Sequence, residues 1–174
     1  MPKKKTKQLE DLFHDGLKDI YFAEKKILTT LPKLAKAAER EEVKAAFEKH
    51  RVETEGQVKR LDKVFRIIGE DPHGKTCPAI NGLAEEGAEI MEEYRDSPVL
   101  DVGLIGAARS VEHYEMSRYI GLRDWVAQLG HADAVKLLQA NLDEEEATDE
   151  ALAALAASIG GEPSEAILAE EEAA

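Results

Sequence analysis

The stretch IGAARSVEHYEMSRYIGL, residues 105–122, contains the pattern that decides the fold. Apolar residues recur through it at intervals of three and four, which is the spacing of one face of an α-helix. Glu112 and Glu115 fall on that same face, between Ala108 and Tyr119. The stretch therefore predicts a core helix whose apolar face is interrupted by two acids.

The other long segments show the same interruption. Apolar spacing predicts five helices, near residues 9–38, 41–68, 81–94, 100–129 and from 133 onward. Pro32 should kink or split the first of them, because proline lacks the backbone N–H that a helix interior needs. Near the middle of the other long helices, the face carries Glu24, His50 with Glu53 one turn on, and Glu145.

The lengths of the links predict the architecture. A short link joins the first two helices and another joins the last two, so each pair should form an antiparallel hairpin. The connection between the pairs, about residues 69–99, is long enough to traverse a bundle and carries the short third helix. We therefore predict an all-α, ferritin-like four-helix bundle over residues 1–160, followed by an acidic C-terminal tail over residues 161–174.

Composition limits the partners and the compartment. A formal net charge of −13 argues against nucleic acid or an anionic membrane as a partner. Cys77 is the only cysteine, so the chain has neither an internal disulfide nor a cysteine-based metal site. The basic N-terminal residues are not followed by an apolar run, and no apolar stretch is long enough to span a bilayer. We expect a cytoplasmic protein.

Several carboxylates in one core need an explanation. Burying them is costly and they repel each other, so they must be protonated, hydrogen-bonded to neighbours or neutralised by a cation. Any single one of them is also explained by a stem that packs while its head reaches water. Oxygen-rich sites suit iron, manganese, magnesium or calcium, and a histidine among the ligands favours iron or manganese. Four interrupted faces at matching heights favour a metal site.

Longer sequence words resemble a known family. They are LEDLFHDGLKDIYFAEKKI (9–27), LPKLAKAA (31–38), HRVETEGQVKRLD (50–62), GLAEEGAEI (82–90), SVEHYEMSRYIGL (110–122) and AQLGHADAVKLLQANLDEEEATDEAL (127–152). They resemble the YciE/YciF-type bacterial stress proteins, which are ferritin-like helical bundles. The resemblance implies a rubrerythrin-like fold, a homodimer and a stress-linked role. It also implies a set of metal ligands: Glu24, His50, Glu53, Glu112, Glu115 and Glu145, with Glu86 of the crossover helix as an extra carboxylate.

Three functions remain open at this point. The first is a redox enzyme that uses iron, or alternatively manganese, as one or two ions to handle a small oxidant such as peroxide or dioxygen. The second is a metal-binding protein without catalysis. The third is a structural or interaction protein with a vestigial site. A standard di-iron bundle has two Glu-x-x-His pairs, and the missing second pair puts that standard arrangement in doubt.

Two further features need a structural check. Residues 69–76, GEDPHGKT, match the P-loop pattern, but that mechanism requires a preceding strand, and we predict a helix there. Tyr21 lies one residue from the apolar face of the first helix. We predict that its hydroxyl bonds to a ligand carboxylate.

Overall fold

The computed structural model describes residues 6–160, which contain five α-helices and no strand. The helices are α1 (Leu9–Ala37), α2 (Glu41–Ile67), α3 (Pro78–Glu93), α4 (Leu100–Gln128) and α5 (Ala132–Ile159). The prediction of five helices and an all-α chain is confirmed. Only α3 begins well away from the predicted residue, because Pro78 serves as its first residue, a position that proline favours. The proposed acidic tail lies outside the described residues.

Helix α1 runs through Pro32 without a break, so the predicted split does not occur. The missing N–H removes one hydrogen bond, to the carbonyl of residue 28, near the C-terminal end of a 29-residue helix. Leu31 and Leu34, on either side of the proline, are both buried. Packing of this face against the core offsets the loss of one backbone bond.

The four long helices contact one another in a closed ring. Helix α1 packs against α2, α2 against α5, α5 against α4, and α4 against α1. The links α1–α2 and α4–α5 contain only three residues each, so the helices that they join run in opposite directions. Helix α3 packs on α1 and α4 and covers that side of the ring.

Two glycines end long helices in the same way. Gly69 follows α2 with φ of 78°, and Gly130 follows α4 with φ of 83°. The amides of Glu70 and His131, one residue further on, donate to carbonyls near the helix ends, at 3.0 and 3.2 Å. This is a left-handed helix cap, for which glycine has no steric penalty.

A buried aspartate ties the two halves of the chain together. Asp101, in the first turn of α4, accepts hydrogen bonds from the backbone amides of Glu39 and Arg40, at 2.9 and 2.8 Å. These amides belong to the link that leads into α2, and the N-terminal amides of a helix lack partners within the helix. Asp101 therefore caps α2 from a different hairpin.

The segment that matches the P-loop pattern has a packing role instead. No strand precedes it among the described residues, and beyond Gly69 it has no regular secondary structure. The Lys75 amide donates to the Lys18 carbonyl at 3.0 Å. A Cβ atom on Gly74 would lie 3.1 Å from the Cβ of Phe22, which is tighter than most real contacts. The glycine lets the crossover lie directly against α1.

Within the described part of the chain, none of the helices combines the length and the apolar character needed to cross a bilayer.

Candidate metal centre

Four side chains from three helices converge in the middle of the helix ring, and we call them the core cluster: His50 of α2, Glu112 and Glu115 of α4, and Glu145 of α5. Each offers one ligand atom, and these four atoms all lie within 4.8 Å of one another. The His50 Nδ1 atom lies 3.0 Å from Glu112 Oε1, and its Nε2 atom lies 3.8 Å from Glu145 Oε2. The structure thus brings together four of the seven ligands implied by the resemblance.

The core cluster is buried, and its polar atoms make no hydrogen bonds to the described residues. The three glutamates are fully buried and His50 is 3% exposed. Despite the 3.0 Å approach of His50 Nδ1 to Glu112 Oε1, neither the ring nitrogens of His50 nor any of the six carboxyl oxygens has a partner in hydrogen-bond geometry among the described residues. Buried polar groups in proteins nearly always have such partners, so the core cluster is a candidate ligand site.

The ionisation of the core cluster is strongly perturbed. Burial raises the pKa of Glu112 to about 8, and it raises the pKa values of Glu115 and Glu145 well above their usual range. Repulsion between the neighbouring carboxyl groups adds to the effect for Glu115 and Glu145. Burial also lowers the pKa of His50 to about 4. Without a cation, the core cluster is therefore an uncharged group at neutral pH.

Glu24 of α1 lies beside the core cluster and is also fully buried. Burial raises its pKa to about 8, and its charge in turn contributes to the raised pKa of Glu115. Its Oε1 atom accepts a hydrogen bond from the Tyr119 hydroxyl, whereas its Oε2 atom is buried without a partner in the described chain. One oxygen is thus held by the protein and the other is left available.

A series of hydrogen bonds runs from Glu24 to the surface, and we call it the polar chain. It consists of Tyr119, Asn141, Arg60 and Glu144. The Asn141 amide donates to the Tyr119 hydroxyl oxygen at 2.8 Å. Arg60 donates to the Asn141 carbonyl oxygen and to Glu144, whose side chain is 33% exposed. The polar chain fixes the orientation of Tyr119 and, through it, of Glu24.

The prediction for Tyr21 is wrong. Its hydroxyl donates to Asp62 at 2.9 Å, away from the core cluster, and Tyr119 donates to the carboxyl group of Glu24 instead. Tyr119 lies on the buried face of α4 and also packs in the core. Gln57 is a second polar residue on a buried face. It is a fully buried amide of α2, and its two polar atoms have no partner in residues 6–160. Both positions are polar residues on an otherwise apolar face, which is the signal that could have found them.

Glu53 lies at the edge of the core rather than within the core cluster. Its side chain is 24% exposed and accepts a hydrogen bond from Lys49 Nζ at 2.6 Å. Its other oxygen is 3.4 Å from the Thr148 hydroxyl, which donates to it. The buried face of α2 passes instead through His50, Thr54 and Gln57.

Glu86 is exposed on α3. The neighbouring residue of that helix that faces the core is Gly87, which is buried. The structure therefore does not bring the extra carboxylate of the crossover helix to the core cluster.

The comparisons with known proteins identify the family. Residues 8–163 match the family described as a domain of unknown function, DUF892. The chain belongs to this family. The Escherichia coli (strain K12) protein YciF is 42% identical over 151 residues, which are 86% of this chain and 91% of YciF. The resemblance to the YciE/YciF-type stress proteins is thereby confirmed.

Solved structures related to the family have the same fold. The structure of the E. coli stress protein YciF matches with a TM-score of 0.86 and 40% identity, and covers 91% of this chain and 100% of that one. YcfI of Rhodopseudomonas palustris, described as a candidate structural protein, matches with a TM-score of 0.83 and 41% identity, covering 87% and 97%. A Xanthomonas campestris pv. campestris protein shares the fold at 20% identity and a TM-score of 0.72, covering 95% and 99%.

Proposed function

We propose that this chain is a stress-associated metal-binding protein whose core cluster, with Glu24 beside it, holds one or two transition-metal ions. The observation that carries the proposal is the burial of one imidazole and three carboxyl groups whose polar atoms have no hydrogen-bond partner among the described residues. A cation would satisfy these atoms together and would neutralise the carboxylates. The stress association rests on the relative described as the E. coli stress protein YciF.

Iron is the metal that we propose, with manganese as the alternative. Carboxylate oxygens suit hard cations in general, and the imidazole of His50 moves the preference toward iron or manganese. The two nitrogens of His50 each lie within 4 Å of a cluster carboxyl oxygen. One of them is therefore close to the shared centre of the four ligand atoms.

The ligands that we propose are His50, Glu112, Glu115 and Glu145, with the free Oε2 atom of Glu24 as a fifth. Glu53 and Glu86 stay outside the proposal, because Glu53 is ion-paired to Lys49 and Glu86 is exposed. Ligand carboxyl groups must be deprotonated. Since burial raises their pKa values, we expect metal binding near neutral pH to release protons.

The reaction that we propose for the metal site is with a small oxidant. When bound, iron or manganese would supply a redox couple for peroxide or dioxygen. The chain's own residues would bind the ion, exclude bulk water through burial, and hold Glu24 in place through Tyr119. The closed ring of four long helices supports the ferritin-like bundle that we propose for the fold. A homodimer is part of the proposal and can be checked by sedimentation equilibrium, which should give twice the mass of one chain.

The test is metal content, measured by plasma mass spectrometry on protein purified without chelator. We expect near-stoichiometric iron or manganese in the wild type and at least a tenfold loss in Glu145→Gln. Glu146→Gln is the matched control, because Glu146 is the next residue of α5 and is exposed. Glutamine resembles a protonated glutamate in shape, so the metal-free fold should survive. Metal-free wild type that takes up no Fe²⁺ or Mn²⁺ would overturn the proposal.

A structural or interaction role is the second candidate. It is favoured by the description of R. palustris YcfI as a candidate structural protein. On this alternative, the buried carboxyl groups stay protonated and no ion is taken up. Melting temperatures separate the two candidates: a metal that binds only the folded state must raise the melting temperature, whereas a vestigial site would leave it unchanged. Consumption of peroxide above the rate for free iron would add catalysis to metal binding.

A further inference from the structure

An apolar pocket lies on the side of the core cluster that faces α1, α3 and α4. Ten of its fourteen lining residues are aliphatic or glycine. The remaining four are Lys26, Thr30 and two members of the core cluster, His50 and Glu112. The apolar pocket therefore ends directly at two of the proposed ligands.

The apolar pocket adjoins a depression on the surface between α1 and α3. The depression is lined in part by Lys33, Asn81 and Met91. Lys26, Thr30 and Ala84 line both spaces and form the neck between them. A continuous line of lining residues thus leads from the surface to the core cluster.

The size of the apolar pocket restricts what it can take. The space open to the centre of a water-sized molecule is about 30 Å³. A diatomic molecule fits in that space. Ala84, Gly87, Ala107 and Ala108 keep this space open, because larger side chains on α3 and α4 would fill it.

The polarity of the apolar pocket restricts its occupant further. The Thr30 hydroxyl donates to the Lys26 carbonyl at 3.0 Å, so its proton is not free to bond with a guest. Between the neck and the core cluster, the lining offers aliphatic side chains only. Apolar cavities tend to stay dry and to bind apolar guests. Hydrogen peroxide would lose its hydrogen bonds to water there without replacement.

We propose that the apolar pocket admits a small apolar molecule, of the size and polarity of dioxygen, to His50 and Glu112. Its function as an access route to a metal rests on the proposed function above. Its ability to take an apolar guest does not, because the pocket belongs to the protein alone. The two parts can therefore fail separately.

Xenon, used as an apolar probe, tests the guest. We expect a xenon atom in the apolar pocket, seen in crystals under xenon pressure or by xenon NMR of the purified protein. Ala84→Leu places a larger side chain in the neck and should abolish this binding. Ala88→Leu is the matched control, because Ala88 is exposed one turn along the same helix and lines only the outer depression. An absence of xenon in the wild type, or its retention in Ala84→Leu, would overturn the proposal.

Nitric oxide tests the route. It is an apolar diatomic molecule that binds ferrous iron, and its association with the ferrous protein can be followed by stopped-flow absorbance. We expect Ala84→Leu to slow association at least tenfold and Ala88→Leu to leave it unchanged. Equal rates in all three proteins would show that access lies elsewhere. Xenon in the pocket of a protein that binds no iron would refute the proposed function and, with it, the route.

Discussion

The two sides of the core cluster are built from opposite materials. On one side the polar chain links Glu24 to the surface through Tyr119, Asn141 and Arg60, and each of these three donates to the preceding member, toward Glu24. On the other side the apolar pocket reaches His50 and Glu112 through aliphatic side chains. The buried acids thus have a bonded member, Glu24, on one side and an unbonded member, Glu112, on the other.

The difference shows which side holds the cluster in place and which side is available. Hydrogen bonds fix direction, so the polar chain determines the orientation of Glu24. Aliphatic contacts are not directional, so the apolar pocket can exclude water without competing for the carboxyl oxygens. An enclosed group of this kind tolerates changes on the apolar side better than changes on the polar side. The following predictions test that contrast in order of decreasing effect.

The largest effect should come from pH in the metal-free protein. A carboxyl group whose pKa is raised by folding binds more protons in the folded state, so the free energy of unfolding falls as pH rises from about 4.5 toward 8. His50 acts oppositely, because its pKa falls to about 4 from 6.5, but its effect is complete above pH 6.5. Between pH 6.5 and 8, each such carboxyl group should lower the free energy of unfolding by at most roughly 1.4 kcal/mol per pH unit. All of these groups together should lower it by several kcal/mol.

Urea unfolding at pH 6.5 and at pH 8.0, after chelation, measures this loss. Mn²⁺ should restore the stability at pH 8.0. Glu112→Gln removes one titrating carboxyl group, so the free energy of unfolding of the metal-free variant should fall less steeply as the pH rises. A free energy of unfolding that stays level across this range would mean that the carboxyl groups are not held in an unfavourable environment.

The second effect should come from breaking the polar chain at its centre. Asn141→Leu removes the donor to the Tyr119 oxygen and the acceptor for Arg60, in a position that is fully buried. We expect a loss of about 3 kcal/mol in the free energy of unfolding, because buried groups without partners cost about 1–3 kcal/mol each. Chemical denaturation at pH 6.5 measures it, and a loss under 1 kcal/mol would count against the polar chain as a support.

Tyr119→Phe should have a smaller effect on stability than Asn141→Leu, but it should also weaken metal binding. The substitution removes one hydroxyl that donates to Glu24 and accepts from Asn141. We expect about 1–2 kcal/mol of lost stability and a metal affinity lower by roughly 10–100-fold. Isothermal titration with Mn²⁺ measures the second quantity, and an unchanged affinity would show that Glu24 is not a ligand held by Tyr119.

The smallest effect should be on the apolar side. Val111→Thr keeps the shape of a half-buried residue that lines the apolar pocket and adds one hydroxyl. We expect a cost of about 1 kcal/mol, the lower end of the roughly 1–3 kcal/mol for a buried hydroxyl without a partner, because this position is only half-buried. The same urea titration measures it. A cost as large as that of Asn141→Leu would erase the contrast between the two sides.

Much of the fold could be predicted, because the apolar residues of each helix recur at the three- and four-residue intervals of a helix face. The acids of the α4 face and Glu145 were visible as interruptions of that spacing, and the structure buries all three. Glu53 shows the limit: it lies three residues after His50, about 60° short of a full turn, and Thr54 occupies the buried position instead. A rotation of this size is too small to resolve from apolar spacing alone.

Other parts depended on tertiary contacts that no local pattern contains. Tyr21 and Tyr119 both lie near the core, and only the packing of α1 against α4 decides which of them bonds to Glu24. Glu86 is exposed because α3 presents small residues, such as Gly87, to its neighbours. The apolar pocket is lined by residues from four helices at once. None of these could be derived from one segment.

The cap that Asp101 provides also has a consequence for how the chain is made. The two amides that it binds, at Glu39 and Arg40, precede it by 62 and 61 residues. Asp101 lies well beyond the end of α2, so the first hairpin can leave the ribosome before the residue that completes its link does. The hairpin must wait with an open helix end until α4 arrives, so the two halves of the chain complete each other late in folding.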